Sequence, residues 1–212
     1  ALLYYGFLVL LAVTTTLEID HQLPKRLKFL HGGTYQGFSF VGDLAGLAFT
    51  CGMAWSVVRR YVQRPYRIRI KTRPEHAVIL GVLLGLGVTG FAAEAFRIAL
   101  EGRPTYEQWS FVGYPLSALV DGIDSVAGWH QALWVSHVVC FMAFLVLLPV
   151  TMLRHMFTSP LNMYLKDRER PKGAMRALPD LMEAEDIETI GASVIEDFTW
   201  KQLLDTDSCT MC

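Results

Sequence analysis

The 212 residues are 52% hydrophobic and only 18% charged, and the formal net charge is −1. Soluble globular domains carry about 25% charged residues, so this composition excludes an ordinary soluble domain and favours a membrane protein. We expect no nucleic-acid partner.

Four apolar stretches follow one another along the chain, at about residues 1–17, 38–58, 77–95 and 132–153. About 20 residues of α-helix cross a bilayer, and these stretches are too long for buried strands and do not alternate like membrane β-strands. They predict an all-α transmembrane domain of four helices over residues 1–165. The first stretch has no polar flank before it, so we interpret the chain as an internal piece of a longer polypeptide, with room for a further helix.

Basic residues are concentrated on one side of the predicted spans. The loop between the second and third spans holds seven of them: Arg59, Arg60, Arg64, Arg67, Arg69, Lys71 and Arg73. The segment after the fourth span is also basic, whereas the loop from Glu101 to Gly128 is acidic and aromatic. Loops rich in lysine and arginine remain in the cytoplasm. We therefore predict a multi-pass protein, surrounded by lipid, whose C-terminal tail is cytoplasmic.

Polar residues near the opposite, outer side form a group of candidate site residues. They are His21, Lys28, His31, Glu94, Arg97 and His130. Ionisable residues at membrane depth are costly and usually functional, so we expect this group to contribute to a haem or quinone site. Two structural alternatives remain open: an ion pair between Glu94 and Arg97, and ordinary interfacial solvation of the others.

The fourth span carries two histidines that suit haem ligation. His155 follows His137 by 18 residues, which is five turns of an α-helix, so one continuous helix presents both on the same face, about 27 Å apart. Imidazole is a common axial ligand of haem iron, and at this separation the two side chains serve different haems. The alternative is that both histidines contact lipid headgroups or a neighbouring helix.

The tail over residues 166–212 changes in character. It becomes acidic and polar, which predicts a cytoplasmic linker into a soluble domain, and it ends in Cys209 and Cys212 with two residues between them. Two cysteines are half of a four-ligand site, either an iron–sulfur cluster or zinc. A redox-active cysteine pair needs a βαβ context that the segment lacks. Cys51 and Cys140 stand alone in apolar stretches and are expected to be buried, inert thiols.

The fourth span and the tail together resemble a known family. The residues that carry the resemblance are His130, Trp134, His137, Pro149, His155, Phe157, Pro160 and Asn162, followed by the terminal "WKQLLDTDSCTMC". This pattern is similar to the bacterial and archaeal iron–sulfur oxidoreductases that couple electron-transfer flavoprotein to the quinone pool. Their membrane domain resembles the cytochrome b of nitrate reductase gamma subunits.

The resemblance implies a function, cofactors and partners. It implies a quinone-reducing oxidoreductase of the cytoplasmic membrane, in which a soluble donor such as electron-transfer flavoprotein feeds a [4Fe–4S] cluster and haem b. Cys209 and Cys212 would be cluster ligands, completed by a further iron–sulfur domain or subunit, and His137 and His155 would be axial haem ligands. A related alternative is a heterodisulfide-reductase-like or sulfite-reductase-associated complex. A haem-free membrane anchor is the alternative from outside these families.

The chain departs from the family pattern where the second axial ligands are expected. In the nitrate reductase type both partner histidines lie on the helix that matches the first span, whereas here Tyr4 and Thr14 occupy those places. His155 would then pair with a histidine before residue 1, as the flavoprotein-linked family implies. His137 would pair with His21 or His31, or would bind no haem. We therefore expect one haem, with a second still open.

Overall fold

The structure is a computed structural model that describes residues 2–166 and 194–208. Every regular element within these ranges is a helix, and none is a strand, which confirms the predicted all-α class. The chain divides into two compact units, Ala1–Val146 and Leu147–Cys212. This division does not test the domain boundary predicted at residue 165, which stays a prediction.

Helices account for nearly all of the first unit. In chain order they are α1 (Leu2–Gln22), α2 (Gly33–Val57) with a π-helical extension (Val58–Gln63), α3 (Tyr66–Arg69), α4 (Pro74–Leu100), a 3₁₀ turn (Thr105–Trp109), α5 (Gly113–Val120) and α6 (Val126–Val150). Helices α1, α2, α4 and α6 are each long and apolar enough to cross a membrane, which confirms the predicted number of spans. The many exposed apolar side chains on these helices suit contact with lipid.

Two helices extend beyond the predicted stretches. Helix α1 continues past Leu17 to Gln22, and α2 begins at Gly33 rather than at residue 38. Hydropathy marks only the part of a helix that hydrocarbon surrounds, whereas backbone hydrogen bonding carries the helix on through polar residues. The loop predicted between residues 101 and 128 also contains α5 and the 3₁₀ turn.

The fourth long helix ends earlier than predicted, and the prediction of one continuous helix from His137 to His155 is wrong. Helix α6 ends at Val150, and Thr151 is extended, with φ −117° and ψ −177°. Pro149 lacks the N–H that would bond the preceding turn, and the Thr151 hydroxyl donates to the Leu147 carbonyl. The five-turn spacing therefore does not apply across this break.

Helices α1 and α2 pack closely at Gly6. A Cβ atom at Gly6 would lie 2.8 Å from the Phe49 amide nitrogen and 3.0 Å from the Ala45 carbonyl oxygen. The next residue, Phe7, lies with its ring centroid 6.1 Å from that of Phe49 and 6.0 Å from that of Phe144. Absence of a side chain at Gly6 thus lets three helices meet through aromatic contacts.

Gly6→Ala is expected to destabilise the protein by about 2 kcal/mol, because the new methyl group meets backbone atoms that no rotamer change can move. The measurement is the midpoint of thermal unfolding in detergent. Gly81→Ala is the matched control: nothing lies within 4 Å of its Cβ position on α4, so better helix propensity should stabilise by about 1 kcal/mol. Equal midpoints for the two variants would contradict this packing.

The second unit contains a 3₁₀ turn (Met152–Arg154), α7 (His155–Tyr164), a second turn (Ile195–Asp197) and α8 (Trp200–Asp207). Polar contacts hold α8 against α7 and the turn before it. Arg154 pairs with Asp207, Lys201 donates to the Asn162 side chain, and the Ser159 hydroxyl donates to the Ser208 carbonyl. The predicted cluster ligands Cys209 and Cys212 lie outside the described residues.

Candidate functional site

A cavity of about 460 Å³ lies among the four long helices of the first unit. Its walls are mainly aromatic and aliphatic, and its polar side chains come from all four helices. The polar and histidine residues on its walls are Thr14, Tyr35, Ser39, Asp43, Glu94, Arg97 and His137. The volume is in the range of sites that bind small organic molecules, which makes this cavity the candidate site.

His137 is held on the cavity wall in a defined tautomer. Its Nδ1 lies 3.1 Å from the Thr89 hydroxyl oxygen, and that hydroxyl donates its own hydrogen to the Gly85 carbonyl. The Thr89 oxygen can therefore only accept, so Nδ1 carries the proton and Nε2 keeps its lone pair. A fixed Nδ1–H leaves Nε2 available for a metal or for a hydrogen-bond donor.

Glycines of the cavity wall leave room for side chains of neighbouring helices. A Cβ atom at Gly90 would lie 3.3 Å from the His137 Cε1 atom, and one at Gly46 would lie 3.0 Å from the ring of Phe91. Both glycines line the cavity, and Gly42 and Gly87 line it as well. A Cβ at Gly87 would meet Thr50 of α2, so this glycine lets α4 and α2 pack closely.

Two residues of the cavity wall, Arg97 and Tyr35, belong to an ionic network. Arg97 donates to Glu107 over 2.8 Å and to Glu101 over 3.1 Å, and Tyr35 donates its hydroxyl hydrogen to Glu107 over 2.8 Å. Glu107 is fully buried. Burial alone would raise the pKa of Glu107, but the hydrogen bonds from Arg97, Tyr35 and Ser110 hold this pKa below its ordinary value. Glu107 therefore remains a charged partner for Arg97.

Glu107→Gln is expected to lower the unfolding free energy by about 3 kcal/mol, because Arg97 keeps its charge and loses its buried partner. Thermal unfolding in detergent measures the change. In the unaltered protein the stabilisation that the charged Glu107 contributes is complete above the ordinary carboxyl pKa. It is lost as the pH falls through the lowered pKa of Glu107. The control is Glu101→Gln, which removes the exposed partner of Arg97 and should change stability by less than about 1 kcal/mol. Equal losses in both variants would contradict the network.

Two further carboxyl groups lie beside the network. Asp43, only 3% exposed, accepts hydrogen bonds from the Val112 and Gly113 amides at the start of α5. Glu94 lies against Gly113 and interacts with Asp43 and the Ser110 hydroxyl. Of the alternatives left open by the sequence, an ion pair between Glu94 and Arg97 is not formed among the described residues, since Arg97 pairs with Glu107 and Glu101. Glu94 thus remains at the cavity wall.

The remaining outer candidates lie elsewhere in the first unit. His21, Lys28, His31 and His130 do not line the cavity that contains His137. His21 and His31 are exposed, and Asp20 fixes the loop between them by accepting hydrogen bonds from two of its backbone amides. The structure therefore does not bring His21 or His31 to His137 as a second axial ligand.

His155 opens α7 in the second unit. Its Nδ1 lies 2.5 Å from the Met152 carbonyl oxygen, which can only accept a hydrogen bond. Nδ1 therefore carries the proton here too, and Nε2 is left with its lone pair. This is the tautomer in which histidine binds metals through Nε2, with the other nitrogen fixed by a protein acceptor.

The cavity offers haem one axial nitrogen ligand, His137. Each predicted histidine fits the role of one axial ligand, but a hexacoordinate haem needs a second one. Of the residues lining the cavity only His137 offers a nitrogen or sulfur ligand, and Thr14 donates its hydroxyl to the Leu10 carbonyl of its own helix. Within residues 2–166 and 194–208 no group of three or more histidine, cysteine or carboxylate side chains is placed to hold a metal ion.

Sequence reasoning missed several residues of the site, among them Tyr35, Asp43, Thr89, Glu107 and Ser110. Asp43 could have been identified from the sequence, because it is an acidic residue within an apolar stretch and such residues are costly unless they have partners. The contribution of Thr89 and Ser110 depends on contacts between helices that sequence spacing does not reveal. Cys51 also differs from expectation, because it is exposed on α2 rather than buried.

Two named proteins are similar to the whole chain. An EtfAB:quinone oxidoreductase from Syntrophomonas wolfei is 32% identical over 225 positions, which cover 100% of this chain and 30% of that protein. A probable iron-sulfur-binding oxidoreductase, FadF, from Bacillus subtilis is 24% identical, over 99% of this chain and 29% of that protein. The chain thus spans about 30% of the length of these relatives. No solved structure matches it.

The family comparison agrees with the fold. Residues 2–171, which include all four long helices, match the model of the nitrate reductase gamma subunit. The match confirms the resemblance seen in the fourth span and accounts for a membrane bundle of this kind. The chain belongs to the nitrate reductase gamma subunit family.

Proposed function

We propose that the protein is a membrane electron-transfer subunit that connects a cytoplasmic flavoprotein to the quinone pool. Electrons would enter at an iron–sulfur cluster and reach quinone by way of haem b. Among the relatives, one is named for electron-transfer flavoprotein and quinone, and the other for iron–sulfur binding. These names support flavoprotein, iron–sulfur and quinone partners, and the membrane-spanning fold supplies the place where a quinone is soluble.

The observation that carries the proposal is the state of His155. The hydrogen bond from Nδ1 to the Met152 carbonyl fixes the ring and leaves the lone pair of Nε2 available for a metal. We assign one haem b to this residue, because the cavity beside His137 provides no second ligand. A haem held there supplies one-electron redox chemistry, and the protein orients and tunes it.

The second unit supports entry of electrons near this histidine. Contacts of Arg154 with Asp207 and of Ser159 with Ser208 fasten the end of α8 to the helix that His155 opens. Cys209 follows Ser208 directly in the sequence. We propose Cys209 and Cys212 as two ligands of a [4Fe–4S] cluster, whose remaining ligands come from a further iron–sulfur domain or subunit.

The basic side of the protein supports a cytoplasmic donor. Seven arginine and lysine residues lie between Arg59 and Arg73, in the segment that joins α2 to α4. We propose that this segment and the C-terminal tail face the cytoplasm of a bacterial or archaeal cell. The flavoprotein and the iron–sulfur domain would then meet on one side of the membrane.

The test is a dithionite-reduced minus oxidised visible spectrum of the purified holoprotein, with pyridine haemochrome quantitation. The proposal predicts a b-type spectrum and one haem per chain. Absence of haem would contradict it and favour the haem-free membrane anchor.

A further inference from the structure

The segment that joins α2 to α4 exposes apolar and basic side chains side by side. Val62, Tyr66 and Ile70 are 73%, 69% and 60% exposed. Water disfavours these side chains and hydrocarbon disfavours charged ones, so the boundary between the two is the environment that suits both. The basic residues of the segment are also exposed, apart from the half-buried Arg60: Arg59, Arg64, Arg67, Arg69, Lys71 and Arg73.

The backbone keeps this segment near the end of the membrane-crossing helices. The helix that begins at Gly33 runs on to Gln63, over 31 residues, whereas about 20 residues cross the hydrocarbon. Its basic last turns therefore extend to the level of the lipid headgroups. Arg60 donates to the Thr72 hydroxyl over 3.5 Å, which ties the end of this helix to the residues just before α4. The connection thus stays close to the membrane surface.

The apolar part of this surface continues the lipid-facing surface of α2. Trp55 and Val58, which precede Val62 by seven and four residues, are exposed as well. Side chains that contact lipid along α2 therefore lead without interruption to the exposed side chains of the connecting segment. This continuity favours lipid as the occupant over a soluble protein.

The charged part suits phosphate. Six of the seven basic residues from 59 to 73 are arginines, and Glu75 is the single acidic residue in the sequence between Asp43 and Glu94. A guanidinium group binds two phosphate oxygens through paired N–H groups, whereas a lysine binds as a point charge. The Arg69 guanidinium carbon lies 5.9 Å from the centre of the Tyr66 ring, which pairs a cation with an aromatic ring of the kind enriched at headgroup level.

We propose that residues 58–73 form a binding surface for anionic phospholipids. The arginines bind the phosphodiester oxygens, and Val62, Tyr66 and Ile70 contact the part of the acyl chains nearest the headgroups. The inference goes beyond the proposed function and needs neither haem nor quinone, so the two can fail separately.

The test uses the holoprotein in phosphatidylcholine vesicles that contain a trace of spin-labelled phosphatidylglycerol or spin-labelled phosphatidylcholine. Electron paramagnetic resonance measures the fraction of each label that the protein immobilises, and hence the relative association constant. We expect a preference of about fivefold for phosphatidylglycerol. High salt should weaken it, because ions screen exposed charges.

The main variant combines Arg67→Gln with Arg69→Gln, and its preference should fall to less than about half. A second variant combines Arg67→Lys with Arg69→Lys, which keeps the charge and therefore the orientation in the membrane. It should lie between the first variant and the unaltered protein, because lysine lacks the paired N–H groups. The unfolding midpoint in detergent is measured on every sample and should not change.

The matched control combines Lys25→Gln with Arg26→Gln. It removes the same number of exposed positive charges from the loop between α1 and α2, near the carboxylates of Glu18 and Asp20. Its preference for phosphatidylglycerol should be unchanged.

Two results would overturn the inference. The first is an unchanged preference in the Arg67→Gln and Arg69→Gln variant; slower reduction of the holoprotein by flavoprotein in that same variant would then assign the surface to a protein partner. The second is displacement of the immobilised lipid by free glycerol phosphate at equal concentration, which would show a site for soluble phosphate. Loss of preference in this variant alone, with the control unchanged, supports the lipid surface.

Discussion

His155→Ala is expected to remove haem b from the protein and to abolish transfer of electrons from flavoprotein to quinone. The imidazole is the proposed axial ligand, and a methyl group provides no replacement. Pyridine haemochrome quantitation of the purified variant should fall from one haem per chain to below a tenth of that value. Quinone reduction should fall by at least a hundredfold.

Two further variants distinguish loss of a ligand from loss of structure. His155→Met retains an axial ligand, so we expect haem to remain bound with a higher reduction potential, as methionine ligation raises it. His130→Ala removes a histidine of α6 that does not line the cavity, and its haem content should be unchanged. Full haem content in His155→Ala would show that this residue is not the ligand.

Cys209→Ser is expected to abolish reduction of the haem by flavoprotein while leaving the haem in place. Serine replaces a thiolate ligand of the proposed [4Fe–4S] cluster, and electrons then lack their point of entry. Low-temperature electron paramagnetic resonance of the reduced holoprotein measures the loss of one cluster signal. Dithionite, which reduces haem directly, should still produce the full haem spectrum.

The matched control for this variant is Cys51→Ser. Cys51 is a free, exposed cysteine of α2, so its replacement should leave both the cluster signal and haem reduction by flavoprotein unchanged. An intact cluster signal in Cys209→Ser would exclude that cysteine as a ligand.

The fold was predictable wherever one physical effect dominates. Stretches of about 20 apolar residues require helices, because hydrocarbon leaves no other partner for backbone amides and carbonyls. The break after α6 was harder to predict, although Pro149 marked it, because proline occurs within membrane helices when neighbouring groups satisfy the backbone. Helix α6 ends at Val150 and Thr151 is extended, so five continuous helical turns do not join His137 to His155.

Several residues of the site could be predicted from the sequence, but the side chains that they contact could not. His137, Glu94 and Arg97 were identified as costly polar residues in an apolar environment, and all three line one cavity. The spacing of Glu94 and Arg97 favoured an ion pair between them, but Arg97 instead bonds Glu107 of the following turn. Such a pairing depends on how a loop folds back over the helices, and no periodicity in the sequence encodes that path.

The most direct test of the central claim follows the haem spectrum during turnover of the anaerobic holoprotein. Reduced electron-transfer flavoprotein is added first, and a water-soluble analogue of the membrane quinone is added second. We predict that the b-type absorption band appears with the first addition and disappears with the second, as electrons move through the protein to quinone. A quinone that is reduced while the haem stays oxidised, or a band that quinone does not remove, would contradict this electron path.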